Sequence, residues 1–313
     1  MSWLMLKPNV VWALAGVFAI LIAASLLVVV LKARAPQKDF SELDQRIKSW
    51  WIMITVFTVA IVLSRNVSIV FFALISFLAL KEYLSLIPTR RADRRIMFWA
   101  YLTIPIQYYW VGIEWYGMFI IFIPVYAFLY LPTRMVLIGV TDRFLAAAGS
   151  LHWGLMMTVF CLSHVAFLLV LPTAGNPVAG GAGLVLFLVF LTQFNDVAQY
   201  TWGKLFGRTP IVPSVSPKKT WEGFAGGVLT TTLLATVLAK YLTPLNLPEA
   251  ALAGALIGAG GFIGDVIISA IKRDIGVKDS GSLLPGHGGI LDRVDSLTYT
   301  APLFFHYVFY LHF

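Results

Sequence analysis

Long apolar runs divide the chain at about residues 10–31, 50–64, 67–86, 97–113, 115–131, 146–171, 181–200, 224–243, 250–270 and 297–313. Within each run the apolar residues are continuous rather than alternating at every second position, which predicts helices and not the strands of a barrel. Most runs approach the roughly 20 residues that cross a hydrocarbon core. The pattern therefore predicts an all-α polytopic membrane protein with about ten transmembrane helices. Lys32 and Arg34 directly follow the first run, and Pro36 disfavours cleavage after Ala35, so this run reads as a retained span rather than a secretory signal.

Composition agrees. Of 313 residues 59% are apolar and 12% charged, against about 45–50% and about 25% in soluble domains. Too little charge is present to cover a soluble surface, and too much apolar area for a disordered chain. Cys161 is the single cysteine, which excludes a disulfide framework and thiol-rich metal sites.

The net charge of +8 raises the question of nucleic acid, but the distribution of charge answers it. Loops 32–49, 87–96, 132–145, 201–223 and 271–296, with Lys81 at a helix end, hold 20 of the 23 basic residues, leaving Lys7, Arg65 and Lys240 for the other side. The segregation predicts five cytoplasmic loops and both termini outside, with no nucleic-acid partner. Arg90-Arg91-Ala92-Asp93-Arg94-Arg95 reads as a topology signal at the headgroups. His152 and His164 read as packed core residues, and the Trp and Tyr residues of 108–116 as an interfacial belt. We divide the chain into an N-terminal helical region, 1–180, and a C-terminal region, 181–313, that carries the chemistry in loops 201–223 and 271–296.

In the ninth run Asp265, Ser269 and Lys272 stand at i, i+4 and i+7, one polar stripe on an apolar helix, flanked by Arg273. Ionisable groups in a span are costly and face a bundle interior or a wet cavity. The bland alternative is a structural pair of Asp265 with Ser269 or with Lys272. The following loop sets glycines around His287, where backbone N–H groups can approach a ligand closely, and ends in Asp292-Arg293-Val294-Asp295. Asp292 and Asp295 share a face if the tenth helix begins there. Carboxylates without thiols suit a hard cation such as Mg²⁺, and Lys272, Arg273, Lys278 and Arg293 are the complement that neutralises phosphate.

The other loop carries Ser216-Pro217-Lys218-Lys219-Thr220-Trp221-Glu222-Gly223. Ser followed by Pro is a helix-start signal, and it predicts that Lys218 and Lys219 lie in a first helical turn. Asn195, Asp196 and Gln199 interrupt the seventh run, and Gly203 and Gly207 have the spacing of close helix packing.

At these residues the sequence resembles the phosphatidate cytidylyltransferase (CDP-diacylglycerol synthase) family, and within it a bacterial paralogous branch. The resemblance rests on Ser269, Lys272-Arg273, Lys278-Asp279, His287-Gly288-Gly289 and Asp292-Arg293-Val294-Asp295, with Ser216 to Gly223 upstream. It spans about a third of the chain. Many members carry Glu immediately before the signature Ser, where this chain has Ile268. The resemblance implies a nucleotidyltransferase of phospholipid synthesis in the bacterial inner membrane, converting CTP and phosphatidic acid to CDP-diacylglycerol and pyrophosphate at the cytoplasmic face.

It further implies Asp265, Lys272, Arg273 and Asp292 as catalytic residues. Ser216, Lys218, Lys219, Thr220, Ser269, Lys278, His287, Gly288, Gly289 and Arg293 would bind substrate. Mg²⁺ would sit on Asp265, Asp292 and Asp295, with Asp196 a secondary candidate, and there is room for a second, monovalent cation and for a homodimer. The rivals are a paralogue that is non-catalytic or uses another lipid phosphate, and a secondary transporter. The transporter predicts polar residues accessible from both faces, whereas here the charges crowd one.

Overall fold

The computed structural model describes residues 6–35, 37, 39–88, 90, 93–277, 279–281 and 288–313. Its helices are α1 (Pro8–Arg34), α2 (Ser41–Leu63), α3 (Arg65–Leu86), α4 (Arg94–Gly112), α5 (Tyr116–Ile121), α6 (Phe128–Val136), α7 (Phe144–Leu155), α8 (Leu162–Val170), α9 (Gly180–Phe206), α10 (Trp221–Leu242), α11 (Leu247–Asp274), α12 (Leu291–Val294) and α13 (Leu297–His312). Each predicted apolar run falls on a helix, and among the described residues eight helical stretches are long and apolar enough to cross a membrane. The protein is an all-α polytopic membrane protein.

Two of the spans are composite. A π-helical segment, Phe122–Ala127, joins α5 to α6 where Pro124 lacks the N–H a continuous ladder needs. A second, Met156–Cys161, joins α7 to α8. Other ends are set by capping. Asn246 and Glu249 exchange side-chain and backbone bonds at the start of α11, a capping box preceding Pro248. That box starts the helix three residues before the predicted run, and α11 continues four residues past the run's end.

The helices differ in how much they bury. The spans through α7–α8 and α9 are mostly enclosed by protein, whereas α1 and α2 turn most of their apolar surface outward, the pattern expected of helices solvated by lipid. His164 is fully buried among Phe119, Phe160 and Phe305, with its Nδ1 against the Phe160 carbonyl, and His152 packs on Phe128. Arg90 pairs with Asp93 and donates to the Val140 and Asp142 carbonyls, so it binds two basic loops together.

α9, α10 and α11 form a tight block because glycine removes the side chains between them. A β-carbon on Gly223 would stand 2.9 Å from the Gln199 carbonyl and 3.1 Å from the Gly203 Cα. One on Gly227 would meet the Gln199 side chain at 2.2 Å, and one on Gly258 of α11 the Val228 Cα of α10 at 3.0 Å. Gly203 does serve close packing, as its spacing suggested. Gly207 sits against the Thr220 side chain.

Candidate active site

Helix geometry sets the depth of the acidic residues. Asp196 lies ten residues before the end of α9 and Asp265 nine before the end of α11. At 1.5 Å per residue both stand about 14–15 Å in from their helix ends. Asp295 reaches the same region from the break between α12 and α13, where the missing side chain of Gly264 lets α11 approach. The charges of Asp196, Asp265 and Asp295 act on one another, with Lys219 and Arg293 as the cations in reach of Asp196. Ser296 Oγ donates to both oxygens of Asp196, at 3.1 and 3.2 Å.

Lys219 is ion-paired with Asp265 Oδ2 and its Nζ lies 5.1 Å from the Phe262 ring centroid, while Ser269 Oγ donates to Asp265 Oδ1 at 3.2 Å. Thus the Asp265–Ser269 pair exists, but the lysine that compensates Asp265 comes from the preceding loop and not from position 272. Burial, then the charges of Asp265 and Asp196, push the Asp295 carboxyl well above the usual carboxylate range. Like charges in a half-buried site resist ionising together.

A second group lies at Lys272, about two helical turns along α11 from Asp265. Lys272 donates to Asp292 Oδ1 at 2.7 Å, with side chains only 10% and 6% exposed. Asp292 Oδ2 accepts from Ser280 N (2.9 Å), Ser280 Oγ (3.0 Å) and Gly289 N (3.0 Å). Burial opposes charge on Asp292, yet the Lys272 side chain and the Gly289 and Ser280 N–H groups outweigh it and hold its carboxyl below the usual range. Gly288, at φ +76°, touches Asp292 where a β-carbon would collide with Oδ2 at 2.6 Å. The structure therefore parts two residues that the spacing put together: Asp295 joins Asp265 and Asp196, whereas Asp292 holds Lys272 and the loop.

The upstream loop departs from its predicted form. The helix begins at Trp221 with Thr220 as its cap, Thr220 Oγ1 accepting from Gly223 N at 3.2 Å, so Ser216 is not a cap and Lys218 and Lys219 precede the helix. Segment 216–220 instead folds back on the end of α9. Ile211 N donates to the Lys219 carbonyl at 2.9 Å, Pro210 and Thr220 form an isolated β-bridge, and Glu222 accepts from the N–H groups of Arg208 and Thr209 at 3.0 and 3.2 Å. This return directs Lys219 inward and leaves Lys218 exposed. Arg273 is exposed and donates to the Val215 and Val277 carbonyls, which ties this loop to the end of α11. Lys278 and His287 lie outside the described residues.

Glu82 on α3 escaped the sequence reading. Its Oε1 accepts from Ile290 N at 2.9 Å and its Oε2 from Leu291 N at 2.8 Å and Ser280 Oγ at 3.2 Å. The available signal was a carboxylate beside Lys81 near the end of an apolar run. Its partners, two backbone N–H groups and the Ser280 hydroxyl, lie some two hundred positions away, which no local pattern reveals.

Among the described residues no three of His, Cys, Asp and Glu close into a ready metal-ligand set. The donors of the first group are three carboxylates and a hydroxyl, with no thiol or imidazole, the oxygen-only type that hard divalent cations take.

Bundle and site together define the class, a polytopic membrane protein that buries acidic and basic side chains near the basic ends of its C-terminal helices. The chain belongs to the cytidylyltransferase family, whose profile matches residues 44–311. It is 50% identical over 298 residues to an Escherichia coli K12 protein described as uncharacterized protein YnbB, covering 95% of this chain and 98% of that one. It is 42% identical over 117 residues to the phosphatidate cytidylyltransferase of Mycobacterium bovis, 37% of this chain and 38% of the enzyme. To that of Haemophilus influenzae it is 38% identical over 136 residues, 42% of this chain and 47% of the enzyme.

Proposed function

We propose that the protein transfers a cytidylyl group from CTP to phosphatidic acid in the bacterial inner membrane, giving CDP-diacylglycerol and pyrophosphate, with the site open to the cytoplasm. The observation that carries the proposal is the grouping of Asp196, Asp265 and Asp295 with Lys219, about two helical turns along α11 from Lys272 and its partner Asp292. A lipid phosphate is already anionic at neutral pH and needs no strong base to attack the α-phosphorus. The site has to align two anions and neutralise their charge. Lys219, Lys272 and Arg293 supply fixed positive charge toward phosphate oxygens, and Lys218 and Arg273 supply it at the loop surface. Asp265 and Asp295, with Asp196, would hold Mg²⁺, which when bound neutralises the triphosphate and the departing pyrophosphate. Asp292 keeps Lys272 in place.

A second reading, transfer to a different lipid phosphate, is favoured by Ile268. It is 1% exposed and packed in the apolar core, at the position where the resemblance implies Glu, and similarity to the named enzymes covers under half of the chain. The test is incubation of purified protein with labelled CTP, Mg²⁺ and a panel of lipid phosphates. A labelled liponucleotide from phosphatidic acid supports the first reading, one from another acceptor only supports the second, and none from any acceptor refutes both.

A further inference from the structure

The acidic residue of α3 has no part in the scheme above, yet it reaches into the same region. Glu82 accepts three hydrogen bonds, from Ile290 N, Leu291 N and Ser280 Oγ. Asp292 shares the single Ser280 hydroxyl hydrogen with Glu82 and accepts from Ser280 N and from Gly289 N. One serine thus stands between two carboxylates, and together these two side chains hold Ser280 before the signature loop and Gly289, Ile290 and Leu291 after it. The packing leaves no slack: a β-carbon on Gly289 would lie 2.3 Å from both Glu82 Oε2 and Ser280 Oγ. Glu82 also meets the first N–H groups of α12, where a helix leaves donors without internal partners.

We infer that Glu82 is a positioning residue of the site, resting on the transferase reading above: it fixes the start of α12, through it the direction of Asp292, and so the ammonium of Lys272. The N-terminal helices, which otherwise contribute only bundle packing, thereby set the alignment of a phosphate-binding lysine. A displacement of about 1 Å at a reacting group can lower turnover about a hundredfold, so a carboxylate that touches no substrate controls kcat.

The test compares Glu82→Gln and Glu82→Ala with the unaltered full chain in lipid nanodiscs. Glutamine keeps the shape of the side chain, but its amide presents a donor to groups that require an acceptor. Amide hydrogen exchange of the 288–294 segment should accelerate at least about tenfold in both variants, with exchange in α9 and α10 unchanged. Turnover with CTP, Mg²⁺ and phosphatidic acid should fall about 10- to 100-fold in kcat, with KM for CTP moving less than about threefold. Unchanged exchange at 288–294, or a kcat per folded molecule equal to the parent's, overturns the inference. A general rise in exchange across the bundle does the same, by making Glu82 a stability residue only. If the parent chain itself makes no liponucleotide, the transferase reading fails, and the exchange data alone then decide whether Glu82 fixes α12.

Discussion

Lys219 and Asp265 are ion-paired across 46 positions of sequence, the lysine from the loop before α10 and the aspartate from within α11. The pair joins the two motif-bearing segments at one point. Asp265→Ala should lower CTP-dependent turnover by about two to three orders of magnitude, while the amount of protein in the membrane fraction stays near that of the parent. Retained turnover would remove Asp265 from the site.

Lys272 and Asp292 form the more enclosed pair, and its stability should depend on pH. The Asp292 carboxyl is depressed in the folded protein, so its contribution is complete above the unfolded value of about 3.9 and is lost as pH falls through the lower folded value. Asp292→Asn leaves the lysine buried without its partner, at a cost of about 3–5 kcal/mol near pH 7. Unfolding of parent and variant in detergent should differ most at pH 6–7 and converge at acid pH. A difference independent of pH would show that the carboxylate's charge is irrelevant.

Gly264 predicts a steric effect on the site. A methyl there would press on the Asp295 carbonyl, and overpacking of this kind costs about 1–3 kcal/mol. Gly264→Ala should lower both the unfolding midpoint and turnover. Gly16→Ala in α1, whose β-carbon would meet nothing within 4 Å, should do neither.

The start of α10 separates two helix-start signals. Thr220→Ala should destabilise by about 1 kcal/mol through loss of the cap, whereas Ser216→Ala should stay within about 0.5 kcal/mol of the parent. The reverse order, measured by thermal unfolding, would restore the Ser-Pro start.

These cases show which physics a linear sequence displays. The spans were legible because a bilayer demands long apolar stretches, and Asp265 because a charge in such a stretch is conspicuous. The Ser216 start was plausible locally, but it lost to tertiary bonds: Glu222 engages the N–H groups of Arg208 and Thr209, and the chain pairs Pro210 with Thr220. Asp292 and Asp295 look equivalent three residues apart. They diverge because the helix breaks after Val294 and because each is claimed by a different element, Lys272 of α11 for one and the α9–α11 carboxylates for the other. Glu82 binds two backbone N–H groups, which carry no residue identity to find, and one serine hydroxyl too distant in sequence to suggest a pair.

The glycine contacts among α9, α10 and α11 have an evolutionary consequence. A scaffold secured by the absence of side chains sets its helix spacing independently of the polar groups at its end, so exchanges there that keep each buried charge partnered need not remodel the helices. Divergence toward a new acceptor would then proceed by single replacements at that end, on an inherited and nearly unalterable backbone.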